Sequence, residues 1–205
     1  MTTNKFKIID PLATDTFSEY FQLKKPTKEI LAEFDYAYAI KILELPFYDQ
    51  DISYLEFLNN YIRRNIRLIN PSVEISIREF LIAPIIVEVC DQTNAELYSE
   101  YALDVDNRLK GSLDYLLKGK NTILVLEAKQ SDIRRGFTQL AVELIALDKS
   151  LGNDSKILYG AVTNGDDWKF GTLDRENQLI TEDVKLYRVP EELEQLIKVL
   201  VGILQ

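Results

Sequence analysis

The run Thr122-Ile123-Leu124-Val125-Leu126 constrains this chain more than any other stretch. Apolar and β-branched residues without alternation make a strand covered on both faces, which requires a sheet with helices packed on each side. The run goes directly into Glu127 and Lys129. Side chains two apart on a strand share a face, so these opposite charges project together while Ala128 turns into the packing. Asp114 lies on the preceding strand of an expected hairpin. A hairpin loop with an even number of residues, pairing Lys118 with Asn121 or with Ile123, puts Asp114 on the face of Glu127 and Lys129; an odd loop puts it on the other.

The flanking pattern supports an α/β fold. Residues 1–70 read as an N-terminal helical elaboration. In it, Ile30, Leu31, Phe34, Ala37, Tyr38 and Ile42 keep helical spacing after Thr27, Pro46 ends the run, and a second helix starts at Asp51 and continues through Ile66 to Asn70-Pro71. Residues 71–205 read as the main domain. It begins with a helix over about 72–90, and two or three strands then fill 95–129 with a turn at Gly119-Lys120-Asn121. A helix follows at about 132–150, carrying the stripe Ile133, Phe137, Leu140, Leu144, Leu147 and Leu151 and ending at Gly152-Asn153. Strands near 156–163, 167–173 and 184–189 precede a last helix opening at Pro190.

Composition removes whole classes of chemistry. The chain has no histidine and one cysteine, which excludes Ser-His and Cys-His nucleophile pairs, internal disulfides and thiolate zinc sites. Cys90, on an Ile- and Val-rich helix face, reads as a small core residue. A metal site built from what remains is an oxygen site for Mg²⁺, Mn²⁺ or Ca²⁺. The N-terminus MTTNKFKIID has no apolar signal stretch and no segment nears the ~18 uninterrupted apolar residues of a membrane span, so the expected location is cytoplasmic with no membrane partner. The balance of 24 basic against 33 acidic residues argues against bulk electrostatic coating of nucleic acid and does not exclude a local basic groove. Arg108, Lys110, Lys118, Lys120, Lys129, Arg134 and Arg135 are its candidates, with a solvated face as the plainer reading.

Asp114, Glu127 and Lys129 therefore have two readings: an ion-pair network, or a metal site in which two carboxylates hold a divalent cation and the lysine steadies water or developing charge. The order of motifs favours the second. Gly111-Ser112-Leu113-Asp114, Glu127-Ala128-Lys129 and Gln139-Leu140-Ala141-Val142-Glu143 resemble the G-x-x-D, E-x-K and Q-x-x-x-(E/Y) elements of the PD-(D/E)XK nuclease superfamily. Val73 to Pro84 and Tyr159-Gly160-Ala161-Val162-Thr163-Asn164-Gly165-Asp166-Asp167-Trp168 resemble the first core helix and the Y-G-x-x-T-N-G-x-x-W segment of the nuclease domain of type I restriction motor subunits and stand-alone relatives.

The resemblance spans about 72–173 and implies a restriction-endonuclease-like α-β-β-β-α-β core with a mixed sheet. It further implies Mg²⁺- or Mn²⁺-dependent hydrolysis of DNA. Asp114, Glu127 and the Ala128 carbonyl would hold the metal, Lys129 would position or activate water, and Gln139 would orient a phosphate or Lys129. Glu74 would be the acidic residue of the first helix. DNA is the expected partner, with a second copy of the chain a further candidate. Glu74 also suits a helix N-terminus on electrostatic grounds alone, and Gln139 and Glu143 also suit the boundary of an apolar stripe. A non-catalytic nucleic-acid- or protein-binding module on the same fold is the alternative function.

Overall fold

The computed structural model describes residues 15–120, 122–129, 132–152 and 155–205. The N-terminal decapeptide, Asn121 of the expected turn and Asn153 of the expected helix end lie outside them. Seven strands form one mixed sheet in the order β1-β7-β6-β5-β4-β3-β2, comprising β1 Ala37–Lys41, β2 Glu96–Asp106, β3 Leu109–Lys118, β4 Ile123–Ala128, β5 Ile157–Thr163, β6 Asp167–Asp174 and β7 Leu179–Arg188. The β1/β7 and β4/β5 pairs are parallel and the other pairs antiparallel. The apolar run around residues 123–126 is a central strand, every residue of which is buried.

Helices cover both faces, as that run requires. On one face α1 Phe17–Gln22, α2 Thr27–Ala32 and α6 Ile133–Ser150 bury Phe17, Ile30, Phe137, Leu140 and Leu144 against Leu116, Val125 and Val162. On the other, α3 Leu55–Ile66, a helix spanning Glu74 to Thr93, and α7 Leu193–Leu204 bury Leu58, Ile82, Ile86 and Leu200 against Leu117, Leu124 and Trp168. Gly171 lets α6 lie flat on the sheet, since a Cβ there would stand 2.5 Å from the Phe137 ring. Among the described residues no helix is long and apolar enough to cross a membrane.

Two expectations are corrected. The helix expected from Thr27 through Ile42 stops after one and a half turns: Asp35 adopts φ 69°, and the next residues form edge strand β1 beside β7. Ala-Tyr-Ala-Ile satisfies strand alternation as readily as helical spacing, and pairing with β7 decides between them. The last helix begins at Leu193, with Pro190 in the turn before it.

The helix expected over 72–90 is three consecutive pieces, α4 Glu74–Ile77, a π-helical turn Arg78–Ile82 and α5 Ala83–Thr93. Pro84 accounts for the irregularity. It has no N–H for the carbonyl of Phe80, four residues earlier, and Asn65 of α3 donates to that carbonyl instead at 3.2 Å. The Ala83 N–H reaches back five residues to Arg78, which widens the turn.

Candidate active site

The β3/β4 hairpin pairs Lys118 with Ile123, an even loop of four residues. Continuing the register from Tyr115 opposite Leu126 places Asp114 beside Glu127, on the face covered by α6. Tyr115 falls on the opposite face within the other core. One Asp114 carboxylate oxygen accepts the Ala128 N–H at 2.8 Å and the other meets Arg78 at 3.2 Å. Glu127, 1% exposed, pairs with Lys129 and accepts from the Gln139 amide at 2.7 Å. The same amide nitrogen donates to Glu143 at 2.8 Å, and Glu143 is fully buried. Gln139 is thus a bridge between two carboxyl groups on adjacent elements.

Lys129 leaves the strand with its own N–H bound to the Thr163 carbonyl at 2.7 Å, and its ammonium sits 5.4 Å from the centre of the Phe21 ring. Gly136 makes room for its stem: a Cβ there would lie 2.9 Å from Lys129 Cγ and 2.7 Å from Val162. Because Phe21 belongs to α1, the segment before residue 70 contributes a wall of this site.

Burial dominates the electrostatics. It holds the Asp114 carboxyl above its ordinary value against the pull of the Ala128 N–H, Arg78 and Lys129. Burial, then the nearby Glu143 and Asp114, pushes Glu127 well up, and burial pushes Glu143 up to about 7. Two carboxyl groups bridged by one amide in a dry site disfavour being ionised together. Burial disfavours the Lys129 charge, but Glu127, Asp114 and Glu143 outweigh it and keep the ammonium protonated.

A linked stability effect follows. Glu143 has an ordinary value of 4.5, so between pH 4.5 and about 7 the folded chain keeps a proton that the unfolded chain releases. The stabilisation it brings is complete below pH 4.5 and is lost as pH rises through 7. At about 1.4 kcal/mol per unit, the loss is on the order of 3 kcal/mol. Urea unfolding from pH 4.5 to 8 in chelator should show this decline in the wild type and a flatter profile in Glu143→Gln, whose amide stays neutral. Parallel profiles would remove Glu143 as the titrating group.

Among the described residues, three buried oxygens here lack a hydrogen-bond partner: Glu127 Oε2, Gln139 Oε1 and Glu143 Oε2. Buried acceptors of this kind suit a hard cation. Among the described residues no three Asp, Glu, Cys or His side chains form a metal-holding group, so a cation would rely on Asp114, Glu127 and the Ala128 carbonyl, with water completing its shell. Mg²⁺ is commonly held by one or two carboxylates and keeps several waters.

Glu74 is exposed at the first position of α4 and takes no part in these bonds; Arg78, one turn later, is the residue of that helix which reaches Asp114. Arg78 and its second partner Glu100, at 2.6 Å, were not apparent from sequence. A helix-turn spacing of four from Glu74 was the available signal. The basic cluster does not form one groove. Lys118 lies over Tyr98 and Tyr101 at the hairpin tip, whereas Lys129, Arg134 and Arg135 lie at the far end of β4. Cys90 is a buried core residue whose thiol burial pushes up to about 11.

A second polar cluster lies two strands from Glu127 on the same face, roughly 10 Å away by sheet spacing. Lys169 pairs with Glu182 at 2.9 Å, Tyr38 donates to Glu182, and Thr27 and Arg134 complete a cavity of about 380 Å³. Comparison with models of known protein families finds no match for this chain, and comparison with curated proteins finds none either.

Proposed function

We propose that this chain is a Mg²⁺- or Mn²⁺-dependent nuclease that hydrolyses DNA phosphodiester bonds, built on a restriction-endonuclease-like core. The observation carrying this reading is the convergence of Asp114, Glu127, Lys129 and Gln139 on one face, with buried carboxyl and amide oxygens that have no donor among the described residues. Asp114, Glu127 and the Ala128 carbonyl would hold the cation, whose chemistry is to polarise a phosphoryl oxygen and acidify water. Lys129 positions the attacking water and offsets charge that develops on the phosphate. Gln139 fixes the Glu127 carboxylate, and the Ala128 N–H fixes Asp114, so both face the site without reorganisation. Arg134 and Lys169 beside the neighbouring cavity supply positive charge for phosphates flanking the cut.

A non-catalytic binding module is the second reading. The observation favouring it is that each carboxylate already has a cationic partner, Arg78 on Asp114 and Lys129 on Glu127. Mn²⁺ separates the two. A ligand that binds only the native state raises the melting temperature by mass action. Millimolar Mn²⁺ should raise it for the wild type and not for Asp114→Ala. An equal rise in both would take Asp114 out of the metal site, and no rise in either would favour the binding module.

A further inference from the structure

Arg78 joins the site from the opposite side of the sheet. Its helix packs among Ile77, Leu81 and Ile82 in the core that excludes Asp114, and its guanidinium lies 5.2 Å from the centre of the Tyr115 ring. Its placement is fixed by backbone features on either side. The π-helical turn starts at Arg78 and is held by Asn65, and on β2 Glu100 adopts φ 50°, a left-handed conformation uncommon for glutamate. Ser99 pairs with Tyr115 and Tyr101 with Leu113, so the same register sets Glu100 opposite Asp114, and its carboxylate reaches Arg78.

The two ends of this contact differ. The Arg78–Glu100 leg is 2.6 Å and the Arg78–Asp114 leg is 3.2 Å, longer than the roughly 2.7–2.9 Å of a strong charge-assisted bond. The guanidinium spends one nitrogen on each carboxylate, so Asp114 does not receive the two-pronged contact that arginine makes with an anion it is built to keep. Glu100 is a tether with its side chain 59% exposed, and Asp114 is a nearly buried oxygen donor with its side chain 14% exposed.

We propose that Arg78 is the substrate-phosphate residue of this site, parked on Asp114 as a substitute cation until a divalent ion takes that carboxylate. The inference rests on the nuclease reading above. The pairing supports the exchange: a divalent ion held by Asp114 replaces Arg78 as the counter-charge of that carboxylate and leaves the guanidinium available for a substrate anion. Displaced from Asp114 but tethered by Glu100, the guanidinium stays beside the ion with a nitrogen free for a phosphate oxygen.

The test uses Mn²⁺ alone first. Its affinity, read by the paramagnetic signal of free ion, should be at least about tenfold tighter in Arg78→Met than in the wild type, the scale of a lost charge-pair competitor. Duplex DNA affinity is then read by anisotropy in the presence of Mn²⁺ in the Lys129→Met background. Adding Arg78→Met should weaken it by about tenfold, and adding Arg78→Lys should weaken it less. If Arg78 only neutralises buried Asp114, Arg78→Met lowers the melting temperature without tightening Mn²⁺, which overturns the proposal. Tighter Mn²⁺ with unchanged DNA affinity overturns the phosphate role. Should Arg78→Met fail to fold, Arg78→Lys decides alone, since a shorter cation without the fork should bind Mn²⁺ more tightly than arginine; equal affinity overturns the proposal. Wild type that takes up no Mn²⁺ overturns the nuclease reading itself, and this inference with it.

Discussion

Replacing Lys129 with methionine is expected to lower Mg²⁺-dependent DNA cleavage by about 10²–10⁴-fold, the usual contribution of a positioned proton-handling group. The stability of the same variant separates catalysis from scaffolding. Lys129 is the only cation paired with Glu127 among the described residues, and breaking a fully buried pair costs ~3–5 kcal/mol when the remaining group stays charged. Here the cost should be smaller, because Glu127 already favours its protonated form through burial and through Glu143. In chelator Lys129→Met should therefore melt somewhat below the wild type. In Mg²⁺ the cation takes over the compensation of Glu127, and the gap should close while cleavage stays low. Cleavage at the wild-type rate would remove Lys129 from the chemistry. A gap that Mg²⁺ does not close would mean that Lys129 serves the fold rather than the site.

Trp168→Ala should cost about 3–5 kcal/mol of stability. Trp168 is wholly buried, the largest of the fully buried side chains, and packs with Phe170 and Tyr187 in the core under α7. Its indole N–H has no partner among the described residues. Removing an unsatisfied buried donor recovers part of its ~1–3 kcal/mol desolvation penalty, so Trp168→Phe should be far milder than the size change alone implies. Urea unfolding of both variants checks this. Similar losses would mean that the indole N–H is satisfied by an ordered water, and a small loss in Trp168→Ala would mean that the core collapses into the gap. Trp168 pairs with Thr163, whose carbonyl holds the Lys129 N–H, so the loss in Trp168→Ala should be accompanied by reduced cleavage.

What was legible in the sequence depended on the range of the interaction that decided it. The central strand was readable because four consecutive apolar residues, Ile123 to Leu126, call for cover on both faces, and the placement of Asp114 reduced to loop parity, which the Lys118–Ile123 pair resolves. The helix over 133–150 was readable from its apolar stripe. Strand β1 was not, since no glycine or proline separates Leu31 from Ala37 and the deciding partner, β7, is some 140 residues away in sequence. In the site, Gln139 stood out by its spacing from the strand end, and its contact with Glu127 follows from α6 crossing that strand. Arg78 did not stand out. Its approach to Asp114 depends on a π-helical turn set by Pro84 and on the left-handed backbone of Glu100, and neither has a local pattern that names its partner.

The claim that Asp114, Glu127 and Lys129 form a hydrolytic centre is tested most directly by nicking of supercoiled plasmid by purified protein, in Mg²⁺ and in chelator, with Lys129→Met run beside the wild type. The account predicts open-circular product from the wild type in Mg²⁺ alone, and almost none from Lys129→Met at a concentration where its melting curve in Mg²⁺ matches the wild type. Metal-independent nicking, equal nicking by the variant, or no nicking by the folded wild type in Mg²⁺ or Mn²⁺ would contradict it.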